Sequence, residues 1–170
     1  MKKVLVAVFV LGFFSSATAQ SPYISIKDVN QPQQHILNGI ITKYALQNDS
    51  TYKWYNSSQS SYAPAADIIS TMKAASGNKQ LVVFGGTWCE DTQFILPKFF
   101  KLQEQSTFPD AAISFFAVDR NKKTIGGIAD AFKIINVPTI IVMKDGKEIG
   151  RVVEYGKTGQ WDKELMELLK

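Results

Sequence analysis

Cys89 is the single cysteine of this chain and the one side chain in it built for nucleophilic chemistry. It stands in Trp88-Cys89-Glu90-Asp91-Thr92, after the apolar run Leu81-Val82-Val83-Phe84 and before a stretch of helical character. A thiol at a strand-to-helix turn meets unpaired backbone N–H groups and the positive end of the helix dipole, and both favour the thiolate. Glu90 and Asp91 suit the same dipole, yet they oppose a neighbouring anion. They read either as good helix-start chemistry or as carboxylates that select a basic partner surface. Thr92, one turn along, can donate its hydroxyl proton towards the sulfur. With one cysteine no internal disulfide can form, so redox chemistry at Cys89 must pass through a mixed disulfide with another molecule. That molecule is an exported protein or peptide, a low-molecular-weight thiol, or a second copy of the chain.

The remaining chemistry-bearing residues exclude several classes. His35 is the only histidine. One His and one Cys cannot supply the three or four ligands of a usual zinc site, so no metal is expected. A Cys–His hydrolase is likewise unsupported; His35 reads as a solvated or capping residue at the polar start of a helix. Charges of both signs are scattered without a basic stripe, which argues against nucleic acid. Nothing in the sequence implies a cofactor.

The first residues predict export. Lys2 and Lys3 precede an apolar run from Val4 to Phe14, and Ala17-Thr18-Ala19 is a small-x-small cleavage site. This is the pattern of a secretory signal over residues 1–19, and the run is shorter than the about 20 residues of a membrane span. Cleavage lowers the formal charge from +4 to +2, because the two lysines leave with it. The expected location is periplasmic or secreted, with no membrane anchor after cleavage.

The elements that must position Cys89 follow from periodicity. Residues 20–62 form an extension rich in Ser, Gln, Asn and Tyr. Within it Ile36, Leu37, Ile40, Ile41, Tyr44 and Ala45 fit a helix after Pro32. Thr51 to Tyr55 fits a short strand, and Asn56 to Tyr62 a polar loop. Trp54, Tyr55 and Tyr62 read as an aromatic cluster against the sheet edge, or as a ligand platform. From residue 63 onward strand and helix signals alternate: a helix from Pro64, strand Leu81–Phe84, and helix Glu90–Gln105 kinked by Pro97. Strand Ile113–Val118 and helix Thr124–Ile134 follow. A hairpin of Thr139–Met143 and Lys147–Val153 turns at Asp145-Gly146, and a C-terminal helix contains Trp161 and Leu165. This order implies an α/β fold, a mixed central sheet with helices on both faces.

The segment Leu81-Val82-Val83-Phe84-Gly85-Gly86-Thr87-Trp88-Cys89 resembles the strand and active-site turn of the thioredoxin family. Pro97, Ala117-Val118-Asp119-Arg120-Asn121, Val137-Pro138-Thr139 and Lys144-Asp145-Gly146 match the family in order and spacing. The resemblance covers residues 63–170 and implies a thioredoxin-like domain there. It implies a cis bond before Pro138 that brings the backbone of Val137 beside the sulfur, where an extended partner segment can pair. Cys89 and Thr92 are then the candidate catalytic residues, and Trp88, Val137 and Pro138 the candidate substrate-binding residues. The sequence departs from the pattern at three points. Thr92 replaces the resolving cysteine of Cys-x-x-Cys, Val83 stands where the family has a buried acid, and Phe115 where a lysine often pairs with it. Thr87-x-Cys89 is also not the Thr-x-x-Cys of peroxiredoxins. Two readings stay open: a monothiol thiol–disulfide exchange protein, or a redox-silent module that binds protein or peptide on the same surface.

Overall fold

The β-branched and aromatic runs of this chain pair into one six-stranded sheet in the order β1 (Tyr23–Lys27), β2 (His35–Ile41), β4 (Ile113–Ala117), β3 (Gln80–Gly85), β5 (Thr139–Lys144), β6 (Lys147–Val153). The computed structural model describes residues 21–170, so the leader expected over residues 1–19 lies outside the described residues. In chain order the elements are β1 (Tyr23–Lys27), β2 (His35–Ile41), α1 (Lys43–Gln47), α2 (Trp54–Ser60), α3 (Ala66–Ala75) and β3 (Gln80–Gly85). Then come α4 (Glu90–Ser106), β4 (Ile113–Ala117), α5 (Ile128–Ala131), β5 (Thr139–Lys144), β6 (Lys147–Val153) and α6 (Trp161–Leu169). β3 and β4 run parallel, and every other neighbouring pair is antiparallel.

Alternation along the strands splits the apolar side chains between two cores. Leu37, Leu81, Val83, Phe115, Ile140 and Val142 face a large core closed by Tyr55 of α2, Met72 of α3, Phe99 of α4 and Leu165 of α6. Phe84, Phe116, Val118, Val137 and Ile141 face a smaller core capped by Ala129 of α5. Each large apolar side chain buried this way contributes about 1.5–3 kcal/mol. Helices thus cover both faces of the sheet.

Three sequence expectations change. The run Ile36–Ile41 is a strand, not a helix: β2 pairs with β1 on one side and β4 on the other. Its apolar spacing suits either period, and the two ladders decide in favour of the β-branched residues' preference. Only the short α1 follows it, so His35 sits on a strand with an exposed side chain. Residues 51–62 are also reversed. The Asp49 carboxylate accepts the Thr51 N–H at 2.8 Å and opens a 3-10 turn at Ser50–Tyr52, after which α2 runs through the polar stretch. That stretch is the solvent side of a helix packed on α4. Trp54 and Tyr55 stay together at 6.2 Å and join the large core, whereas Tyr62 separates from them to meet Trp161 at 5.7 Å. Finally, Thr124–Ile134 is not one helix. Gly126 and Gly127 take φ of 65° and 66°, a left-handed conformation that stops a helix. Only a 3-10 turn at Ile125–Gly127 and the four-residue α5 remain.

Among the described residues, no helix is long and apolar enough to cross a membrane.

Candidate active site

Cys89 is the N-cap residue of α4, in extended conformation, and its carbonyl accepts the Gln93 N–H at 3.0 Å. The strand before it ends in Gly85-Gly86 because nothing larger fits. A Cβ on Gly85 would lie 2.6 Å from Leu96 of α4, and one on Gly86 2.6 Å from the Trp88 ring. The two glycines thus let α4 and the indole close down on the turn.

The half-buried Cys89 thiol donates to the Val137 carbonyl oxygen at 3.2 Å. The Val137-Pro138 peptide bond is cis. The thiol and the Val137 carbonyl thus join the start of α4 to the loop before β5, with Pro138 next in the chain. Trp88 forms one wall beside them. Its Nε1–H donates to the Val118 carbonyl at 3.0 Å, and the ring lies against Gly86.

Thr92 is buried, and its oxygen accepts the Gly86 N–H at 3.2 Å. Among the described residues it makes no hydrogen bond to the sulfur, which departs from the expected donation to Cys89. The backbone explains this: the Gly86 N–H would otherwise be a buried donor without a partner. Below the turn, Val83 and Phe115 are direct neighbours in the β3–β4 register and both are buried. The positions where the family has a charged pair are here one continuous apolar layer.

Several residues close to the site escaped the sequence. Thr87 donates its hydroxyl to the His35 carbonyl at 2.8 Å and accepts the Leu37 N–H at 3.3 Å, which stitches the active-site turn to β2. The turn after β4 is shaped by Asp119, whose carboxylate accepts the N–H groups of Asn121 and Lys123, both at 2.8 Å. This turn holds Arg120 and Lys122 over the Trp88 ring, at 5.2 and 5.7 Å from its centroid. Arg120 in turn grips Asp28, from the segment after β1, through a two-pronged pair of 3.1 and 2.7 Å. The Arg120 guanidinium holds the Asp28 carboxyl below the ordinary carboxylate range, although burial pushes it the other way. Asp28 and Arg120 are 92 positions apart, and no periodic signal joins them. Arg120 lies inside a stretch that resembles the family; its partner carries no such mark.

Tyr155 lies beside Asp91, its ring tilted at 46° to that of Phe94 with centroids 5.8 Å apart. Partial burial and then the Asp91 carboxylate raise the phenol above its ordinary range.

A family model described as Thioredoxin matches residues 67–167. The chain belongs to the thioredoxin family. It is similar to Thioredoxin H5 of Arabidopsis thaliana, 33% identical over 88 residues that cover 51% of this chain and 70% of that protein. It is also similar to Thioredoxin-2 of Saccharomyces cerevisiae, 39% identical over 80 residues that cover 46% of this chain and 71% of that one. Among solved structures it is similar to Fasciola hepatica thioredoxin, 24% identical, TM-score 0.41, covering 58% of this chain and 88% of that chain. Thioredoxin-family membership supports a thiol–disulfide redox role in general terms, acting on protein thiols and disulfides. The matched stretch begins at α3, so β2, which carries His35 and Leu37, and the segment carrying Asp28 precede it.

Proposed function

We propose that this chain is an exported monothiol exchange protein that works through Cys89. The observation that carries the reading is the meeting of the thiol with the Val137 carbonyl at the N-terminus of α4, in a chain with no second cysteine. The Cys89 thiolate attacks one sulfur of a partner disulfide. A sulfur–sulfur bond to Cys89 forms, the partner's disulfide breaks, and the departing thiolate takes up a proton. Thr92 cannot resolve this mixed disulfide. A second thiol, from a protein or a low-molecular-weight compound, attacks it and releases Cys89 as a thiol. The partner segment docks against Trp88 and pairs with the backbone at Val137 and Pro138.

Export rests on the leader pattern of residues 1–19. The test is the mass of the protein recovered from outside the cytoplasm: a mature chain beginning at Gln20 supports it, and an intact leader on cytoplasmic protein overturns it. Exchange is tested by the rate at which purified mature protein consumes a disulfide reagent and by recovery of a Cys89-linked adduct. A thiol that reacts no faster than free cysteine would sink the reading.

A second reading, a redox-silent module that binds protein or peptide on the same surface, is favoured by the apolar layer of Val83 and Phe115 under the turn. Unchanged partner binding and phenotype after Cys89→Ser would select it. Linkage of two copies through Cys89 is read from a non-reducing gel.

A further inference from the structure

The carboxylate of Asp28 is fully buried, and Arg120, about a third exposed, is its partner. A buried ion pair is a poor device for stability alone, since well-packed apolar residues often hold the same place equally well. The hairpin that carries Asp28 is also anchored without it. β1 pairs along β2, β2 pairs with β4, Thr87 bonds His35 and Leu37, and the Asn38 side chain donates to the Lys123 carbonyl at 3.0 Å. What the pair adds is orientation. A guanidinium held by both carboxylate oxygens has a fixed plane, and here its carbon sits 5.2 Å from the centre of the Trp88 ring, within cation–π range. The indole is then held on three counts: Nε1–H to Val118, its ring against Gly86, and the cation beside it. Trp88 is the docking wall next to Cys89, and a wall fixed in advance lowers the cost of ordering a partner against it.

We propose that Asp28 is a positioning residue for exchange at Cys89, acting through Arg120 to hold the Trp88 indole in its docking orientation. This rests on Cys89 being the exchanging thiol. The N-terminal hairpin is thereby part of the site, and it selects for partners large enough to lean on the indole.

The test compares two disulfides, insulin as a protein probe and 4,4′-dithiodipyridine as a small one, on wild type, Asp28→Asn and the double variant Asp28→Leu with Arg120→Met. The expected result for Asp28→Asn is a loss of about tenfold in rate with insulin, less than twofold with the small reagent, and a shifted Trp88 indole N–H resonance. The apolar double variant separates positioning from folding, because it removes the pair without leaving a lone buried charge. It should recover thermal stability and keep the insulin defect. Recovery of both would mean the pair is merely structural and would overturn the proposal, as would a wild-type insulin rate in folded Asp28→Asn. Wild-type Cys89 inert to both probes would instead overturn the exchange reading on which this one rests.

Discussion

The layer beneath Cys89 and the layer beside it are built from opposite materials. Beneath the turn, Val83 and Phe115 pair across β3 and β4 as an apolar sheet surface, and Thr92 spends its oxygen on the backbone of Gly86. Beside it, Asp28, Arg120 and Trp88 form a chain of charge, guanidinium and indole, held by side-chain hydrogen bonds. A dithiol mechanism needs a group below the turn to manage the second thiol's proton. With no second thiol that need is gone, and a buried charge there would only cost free energy. In the proposed function partner capture depends on the side wall, and there the charge remains. On the proposed reading, the contrast separates attack and docking, the two steps assigned to this site, from resolution, for which the chain has no second cysteine.

Cys89→Ser removes the atom on which both layers converge, and it has the largest effect. Adducts with insulin and with 4,4′-dithiodipyridine should vanish while the thermal melt shifts little, because the half-buried serine hydroxyl can still donate to Val137. Intact mass after incubation with each disulfide reads the outcome. Any adduct retained by the variant would place the reactive group elsewhere.

Val83→Asp tests the lower layer from the stability side. Val83 has no exposed surface and its neighbours are apolar, so the new carboxyl finds no partner. The expected loss is about 3–5 kcal/mol, the range for an uncompensated buried charge, less what protonation relieves. Urea unfolding measures it. Adding Thr92→Cys to the same variant asks whether an acid below the turn serves a second thiol. Insulin reduction by the double variant above that of Thr92→Cys alone would show that the lower layer is what was lost.

How far the sequence reaches differs between the layers in the same way. Trp88, Cys89, Thr92 and Val83 lie within ten residues; the apolar run before a turn marks Cys89 with Trp88 beside it, and the resemblance to the family marks Thr92 and Val83. Pro138 and Phe115 are reached only through the resemblance to the family, whose register holds because β3, β4 and β5 are short apolar runs with clear boundaries. The side wall is different. Asp28 acts through a contact 92 positions away, and one short-range feature around it points the wrong way: Ile36, Leu37, Ile40 and Ile41 fit a helical stripe as well as a strand. Strand pairing with β4 settles their state, and pairing is a property of the assembled sheet. The polar residues 56–60 mislead for a related reason. Their helix gains its stability from Tyr55 buried against α4, while the solvent side composes most of its sequence.

Asp28→Asn probes the side wall and should cost about 3 kcal/mol, the low end for breaking a buried pair, because Arg120 keeps part of its surface in water. The pH dependence has a definite sign. The folded pKa of Asp28 lies below its ordinary value of 3.8, so the unfolded chain binds the proton more readily. The stabilisation is full above that ordinary value and is lost as pH falls through the lower folded one. Urea midpoints of wild type and Asp28→Asn should therefore stay a constant distance apart from pH 7 to pH 5 and converge below about pH 4. A gap that closes near neutral pH would assign the effect to another group.

Thr92→Val carries the smallest expected effect and decides to which layer Thr92 belongs. Its hydroxyl oxygen accepts the Gly86 N–H, and its methyl carbon lies 3.0 Å from where a Gly85 Cβ would sit, so the site is filled on both sides. Valine keeps the shape and removes the acceptor. The Gly86 N–H is then buried without a partner, at a cost of about 1–3 kcal/mol in urea unfolding. Because that oxygen bonds backbone rather than sulfur, the rate of Cys89 with 4,4′-dithiodipyridine should stay within about twofold of wild type, a change of less than half a kcal/mol in the barrier. A tenfold fall in that rate at full stability would mean that the hydroxyl proton reaches the thiolate during attack. Thr92 would then act on the attacking atom, and the lower layer would hold more of the chemistry than its apolar composition suggests.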